Sequence, residues 1–136
     1  MPITLTFTEG VLPVAKAKEA IAQITASFLK HHGMTGNKVM TRNLTAHVHI
    51  VPKGLTFSGG KEIDAAWLET RSPSFALVDH KVQVDFFTEV TKIIHDLSGG
   101  KLPKEHIWAS AIHTVDGTWN IDGVPLTNEG IIKTIS

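Results

Sequence analysis

Met1-Pro2-Ile3-Thr4-Leu5-Thr6-Phe7-Thr8 opens the chain with strict alternation, placing Ile3, Leu5 and Phe7 on one face and the threonines on the other. That is the two-residue period of a half-buried strand, and Pro2 begins it. After the turn at Glu9-Gly10, Pro13 to His32 sets Ala17, Ala20, Ile21, Ile24, Phe28 and Leu29 at helical spacing, with Pro13 suited to a first turn and Gly33 to a stop. A polar loop leads to Leu44 to Val51, where Ala46, Val48 and Ile50 alternate with Thr45, His47 and His49, predicting a second strand. Pro52, Gly54 and Gly59-Gly60 break the chain. The plan then recurs. Ile63 to Arg71 reads as a strand, Asp79 to Leu97 as an amphipathic helix capped by Asp79 and ended by Gly99-Gly100, and His106 to His113 as a strand.

Two strand-helix-strand units in succession predict parallel pairing within each half. The expected class is therefore α+β: a two-layer sandwich with a four-stranded mixed sheet and two helices on one face. Asp116-Gly117 and Asp122-Gly123 flank Thr118 to Ile121, predicting a short C-terminal hairpin. One domain spans residues 1 to 136, with pseudo-repeats at about 2 to 60 and 61 to 115 and a C-terminal segment from 116 to 136. A sheet covered on one face only leaves apolar side chains exposed, so burial against other subunits is expected.

Thirteen Lys and Arg balance thirteen Asp and Glu. This predicts neither a nucleic-acid nor a membrane partner. No run reaches the length of a spanning helix, and no charged-then-apolar leader opens the sequence, so the expectation is a soluble, cytoplasmic protein. The absence of cysteine removes thiolate nucleophiles and disulfides. Gly54 and Gly59-Gly60 lack the lysine and hydroxyl of a phosphate loop, and there is no Gly-x-Ser-x-Gly elbow.

Pro2 follows the initiator methionine. A small second residue permits removal of Met1, which would turn an inert amide nitrogen into a secondary amine able to take a proton when its pKa falls near the working pH. Burial and nearby cations push such a pKa down. A proline opening a strand can equally be an ordinary turn residue. His47-Val48-His49 puts two imidazoles on one strand face within reach of one metal ion, provided a third ligand such as His31, His106, His113 or Asp64 converges. The alternative is a polar sheet face packed on water or a neighbour. Arg71 is either a carboxylate-binding guanidinium or an ion-pair partner of Glu69 or Asp64.

Met1-Pro2, the alternating strand, the long helix and the doubled plan together resemble the tautomerase superfamily, over nearly the whole chain. His31-His32-Gly33-Met34-Thr35-Gly36 resembles the stretch of cis-3-chloroacrylic acid dehalogenases whose histidine contacts the substrate carboxylate, and His31 holds the matching position. Thr70-Arg71-Ser72-Pro73-Ser74 is similar to the arginine-bearing strand end of malonate semialdehyde decarboxylases, with Arg71 at the carboxylate-binding position. Asp116-Gly117-Thr118-Trp119-Asn120-Ile121 resembles the decarboxylase segment that walls the pocket, and Trp119 and Ile121 match the wall positions. Trp119 can otherwise fill a core or a subunit interface.

The resemblance implies a homotrimer, no metal or organic cofactor, and keto-enol isomerisation of small 2-oxo or 2-hydroxy-dienoate carboxylates, with Pro2 as base and acid and Arg71 on the carboxylate. Trp108 is expected as a further apolar wall. The sequence has Arg42 and Arg71 as its only arginines, so a second clamp on the carboxylate falls to Arg42, His31 or a lysine of another subunit. Ser110 stands where the hydratases and dehalogenases carry a tyrosine, and Trp119-Asn120 near their acid, which weighs against water activation. The decarboxylase pair of arginines one residue apart is replaced by Arg71 and Ser72-Pro73-Ser74, and its aspartate is absent from Gly36-Asn37-Lys38. Decarboxylation is the runner-up. A binding module with an inert Pro2 is the reading from a different class.

Overall fold

The computed structural model covers residues 1 to 136. In chain order it comprises β1 (Ile3–Thr8), α1 (Val14–His31), α2 (Lys38–Asn43), β2 (Ala46–Val51), β3 (Phe57–Ser58), β4 (Lys61–Glu62), β5 (Ala66–Pro73), α3 (His80–Leu97), β6 (Ile107–Thr114), β7 (Trp119–Ile121), β8 (Val124–Leu126) and α4 (Asn128–Ile135). The main sheet has the order β2-β1-β5-β6. Strands β1 and β2 run parallel, as do β5 and β6, and β1 meets β5 antiparallel at the centre. The expected mixed four-stranded sheet is the one observed.

Alternation decides which side chains are buried. Ile3, Leu5 and Phe7 are fully buried with Leu68 from β5 under the two long helices. Helix α1 presents Ala17, Ala20, Ile24 and Phe28 to this layer, and α3 presents Phe86, Val90 and Ile94. Phe28 meets Phe86 edge to face with ring centres 5.4 Å apart, the arrangement aromatic quadrupoles favour. Asp79 caps α3 by accepting the Lys81 N–H, as the sequence predicts.

The opposite face of the sheet is uncovered. Trp67 and Trp108 stand level on β5 and β6 and stack with centres 5.9 Å apart, while Trp108 and Ile112 remain 40% and 43% exposed. These apolar groups are poorly solvated unless something covers them.

Three elements were not anticipated. The short α2 replaces part of the polar loop and is capped by Asn37, whose side chain accepts the Met40 N–H. A two-residue-strand hairpin, β3 with β4, occupies the Gly59-Gly60 turn. Beyond the expected hairpin, now β7 with β8, lies α4, capped by Thr127 and anchored by buried Ile131 and Ile135. Its signal was present as a threonine cap followed by apolar residues at helical spacing. Strand β5 starts later and ends later than expected, at Ala66 and Pro73.

Candidate active site

The register carries Pro2 to the end of the sheet that bears Arg71. Ile3 lies opposite Thr70, and the Arg71 N–H donates to the Pro2 carbonyl at 3.0 Å, so the ladder extends one pair further. Because the ring occupies the nitrogen's ladder position, Pro2 donates nothing to β5, a role tolerated at a strand's first residue. The next pair brings Met1 opposite Ser72.

Met1 is not a frayed tail. It is 2% exposed and belongs to the same continuous core cluster as Met40, Leu44, Ile121, Ile131 and Ile135. Its ammonium donates to the Asn43 carbonyl at 2.6 Å, and its carbonyl accepts the Thr45 N–H at 3.2 Å. Burial lowers the pKa of this amine to about 5, because a desolvated ammonium loses hydration that the neutral amine does not need. The end of the sheet is thus an apolar slot filled by the first residue. A cleft of about 600 Å³ lies at the other end beside Val11, Lys16, Leu102 and His106. Cavity size therefore does not locate this site, since Met1 occupies it.

Arg71 is exposed on the uncovered face, with its guanidinium 3.4 Å from Glu69. The ion pair foreseen as the plainer alternative is present, yet it is long and solvated, which makes it weak. Ile121 is 3% exposed and joins the cluster that contains Met1. Trp119 packs against that cluster, and its indole N–H is buried without a partner. Asn128 donates to Ser74 just beyond Arg71, and Asp122 pairs with Arg42 next to the Asn43 that holds Met1, so the segment bearing Trp119 and Ile121 lies at the same end as Pro2 and Arg71.

Three further contributors were expected: His31, Arg42 and Trp108. His31 faces α3, with Nε2 2.6 Å from the Glu89 carboxylate, and Lys30 reaches the same carboxylate at 2.9 Å. It is a fastener between helices. Arg42 lies on α2 and pairs with Asp122 at the turn of the β7-β8 hairpin, 3.1 Å away and largely in solvent. Trp108 is level with Trp67, whereas Ile112 is level with Arg71. Four residues of strand separate it from Arg71's level, roughly 13 Å at strand rise, so within this chain it does not wall the Pro2 site.

The histidines resolve similarly. His47 and His49 share the sheet's uncovered face with ring centres 6.3 Å apart, and no group of three potential ligands converges anywhere in the chain. Asp64 is held by Lys53, and His113 lies 2.7 Å from the Ala76 carbonyl. His32 plays a part the sequence did not reveal: Nδ1 donates to the Phe28 carbonyl and Nε2 accepts the Leu77 N–H at 3.0 Å. Burial lowers its pKa, which keeps the ring neutral and suits this donor-acceptor pairing. Leu77 is buried with a φ of 54°, a left-handed conformation that costs energy for a leucine. His32 helps hold it there, just beyond the strand end that carries Arg71.

The four-stranded sheet of two parallel β-α-β units, paired antiparallel and backed by two helices, is a fold this chain shares with solved structures. No protein-family model matches the sequence, and none of the curated proteins does. Solved structures match closely in shape. N1, a member of the cis-3-chloroacrylic acid dehalogenase family, superposes with a TM-score of 0.79 at 14% identity, over 98% of this chain and 89% of its own. Pt0534, solved after inactivation by 2-oxo-3-pentynoate, gives 0.78 at 12% identity over 96% and 98%. A symmetric trimer of wild-type fused 4-OT gives 0.78 at 6% identity over 96% and 98%.

Proposed function

We propose that this chain is a cofactor-independent tautomerase that moves a proton on small 2-oxo or 2-hydroxy-dienoate carboxylates, with Pro2 as base and acid once Met1 is removed. The observation that carries this reading is the burial of the first residue at the strand end beside Arg71, where burial lowers the terminal amine to about 5. The Met1 amine is neutral there at pH 7, and the same apolar surroundings would favour the neutral, proton-accepting form of a Pro2 amine. Removal of Met1 transfers the free valence to the Pro2 nitrogen, directed along the strand into the vacated slot.

The enol form of the substrate gives up its hydroxyl proton to Pro2, and the resulting enolate is protonated at carbon by the prolinium, regenerating the neutral amine. Arg71 holds the carboxylate; its only close partner, Glu69 at 3.4 Å, is readily exchanged for a bidentate substrate. Ile121 and Trp119 supply apolar walls that keep water out and the amine uncharged. The uncovered face bearing Trp67, Trp108 and Ile112 supports a homotrimer in which the sheets are shielded. The fused 4-OT neighbour is itself described as a trimer.

The test is ketonisation of phenylpyruvate or 2-hydroxymuconate by protein shown by mass spectrometry to lack Met1, beside Pro2→Ala. Activity that collapses in the variant sustains the reading. Equal inactivity of both trimeric proteins defeats it and favours a non-catalytic role.

A further inference from the structure

The end of the sheet opposite Pro2 carries a cleft that the proposed reaction does not use. Its volume is about 600 Å³; Val11, Leu97 and Leu102 supply apolar lining, and Lys16, Lys101 and His106 border the same space. Sites for small molecules have this size and this mixture, apolar walls with a few placed polar groups. The loop that follows α3 is fixed in position. The Ser98 hydroxyl accepts the Leu102 N–H at 3.1 Å and donates to the His95 carbonyl at 2.6 Å, while His95 Nδ1 donates to the Leu102 carbonyl at 2.7 Å. Side chains thus hold both backbone groups of Leu102, which is 4% exposed, and Lys101 precedes it on the surface.

Charge around this cleft is one-sided although the chain as a whole is neutral. Asp64 is the single carboxylate on the lining, and Lys53 already pairs with it at 2.7 Å. Lys101 forms no ion pair. Lys16 meets only Glu19, at 3.4 Å with both side chains half in solvent, a contact of little strength. The first turn of α1, which reaches the cleft at Pro13 and Lys16, holds no acidic residue to offset them. Two ammonium groups, one unpaired and one weakly paired, therefore border a space with apolar walls.

We propose that this cleft binds a small organic anion: a carboxylate or phosphate head between Lys16 and Lys101, on an apolar body of about the size of a phenyl ring that lies against Val11, Leu97 and Leu102. Strand β1 separates it from Pro2 by roughly 20 Å, so its occupant is distinct from the molecule on which Pro2 acts. A bare inorganic ion lacks the body and a neutral aromatic lacks the charge, and both requirements follow from the lining.

The experiment is a titration of the ¹⁵N-labelled protein with benzoate, phenyl phosphate, inorganic phosphate and benzyl alcohol, followed by the amide signals of Val11, Gly99 and Leu102. Benzoate or phenyl phosphate should shift these signals saturably with a Kd on the order of 1 mM or tighter, and the tighter of the two identifies the head group. Inorganic phosphate and benzyl alcohol should each bind at least about 10-fold more weakly. Lys16→Gln and Lys101→Gln should each weaken binding about threefold and together about 10-fold; both lysines are exposed, so the fold tolerates the changes. Arg71→Ala, at the other end of the sheet, should leave these shifts unchanged. Absence of saturable shifts at the cleft, benzyl alcohol binding as well as benzoate and phenyl phosphate, or a double lysine variant binding like wild type overturns the assignment. Loss of the shifts in Arg71→Ala overturns it too, by placing the anion at the Pro2 end.

Discussion

His31 Nε2 lies 2.6 Å from the Glu89 carboxylate, so the last turn of α1 is tied to the middle of α3. The Lys30 and His31 hydrogen bonds hold the Glu89 carboxyl at a pKa of about 2. A carboxylate whose pKa is lower in the folded protein than in the unfolded chain stabilises the fold at neutral pH, and that contribution disappears as pH falls from about 4.5 toward 2. The pair is partly solvated, which limits its worth to about 1 kcal/mol. Glu89→Gln should therefore lower Tm by roughly 3 °C at pH 7 and by much less at pH 2.5. His31→Ala should cost stability while leaving KM for phenylpyruvate unchanged; a KM raised tenfold would return His31 to the substrate.

His32 predicts a second acid effect. Its lowered pKa means that the unfolded chain takes up a proton near pH 6.5 before the folded protein does, so this contribution is present above that pH and declines below it. Protonation places a hydrogen on Nε2 against the Leu77 N–H, and that bond is lost. Amide exchange at Leu77, corrected for its intrinsic pH dependence, should accelerate relative to the core as pH falls below 6.5 and His32 takes up its proton. His32→Ala should destabilise by about 2 kcal/mol.

Retention of Met1 should separate stability from activity. The residue is buried and apolar, and losing such a side chain costs about 2 kcal/mol or more. Protein made without methionine removal should melt several degrees higher than processed protein and show no ketonisation. Calorimetry and kinetics on the two forms, verified by mass, check both halves.

In processed protein, kcat/KM should rise through a single ionisation lying below the ~8 of a free terminal amine, because burial favours the neutral form. Pro2→Ala should lose roughly 10² to 10⁴-fold. Arg71→Ala should chiefly raise KM, and Arg71→Lys should recover only part of the loss, since lysine cannot grip a carboxylate with two parallel donors. A kcat-only effect would remove Arg71 from binding.

The stacked pair of half-buried Trp67 and exposed Trp108 sets the last test. Trp108→Glu places a charge on the apolar face that the proposed trimer covers. Light scattering should show smaller species than wild type, whereas an unchanged mass would place the interface elsewhere.

The fold was legible because its two periods are clean. Ile3, Leu5 and Phe7 alternate, and Val82, Phe86, Val90, Ile93 and Ile94 recur at helical spacing, so strand, helix and their repetition follow from local pattern. Helix α4 escaped because Pro125 and Gly130 interrupt that segment, and its stability comes from burying Ile131 and Ile135 in a core built by distant residues. The site was legible only in part for a related reason. Sheet register brings Pro2 level with Arg71, and a hairpin folds Trp119 and Ile121 back onto the core. His31 has a partner fifty-eight residues away on another helix, which spacing along the chain cannot disclose.

Strand β1 is central, with β2 on one side and β5 on the other, and its first residue is walled in. Anything joined ahead of Met1 must push through that wall or force the strand end open. A purification handle at the front of this protein would thus abolish the proposed amine and disturb the packing around it, and such material would look inert for reasons unrelated to its chemistry. A handle placed after Ser136, which is exposed at the end of α4, leaves the strand end as it is.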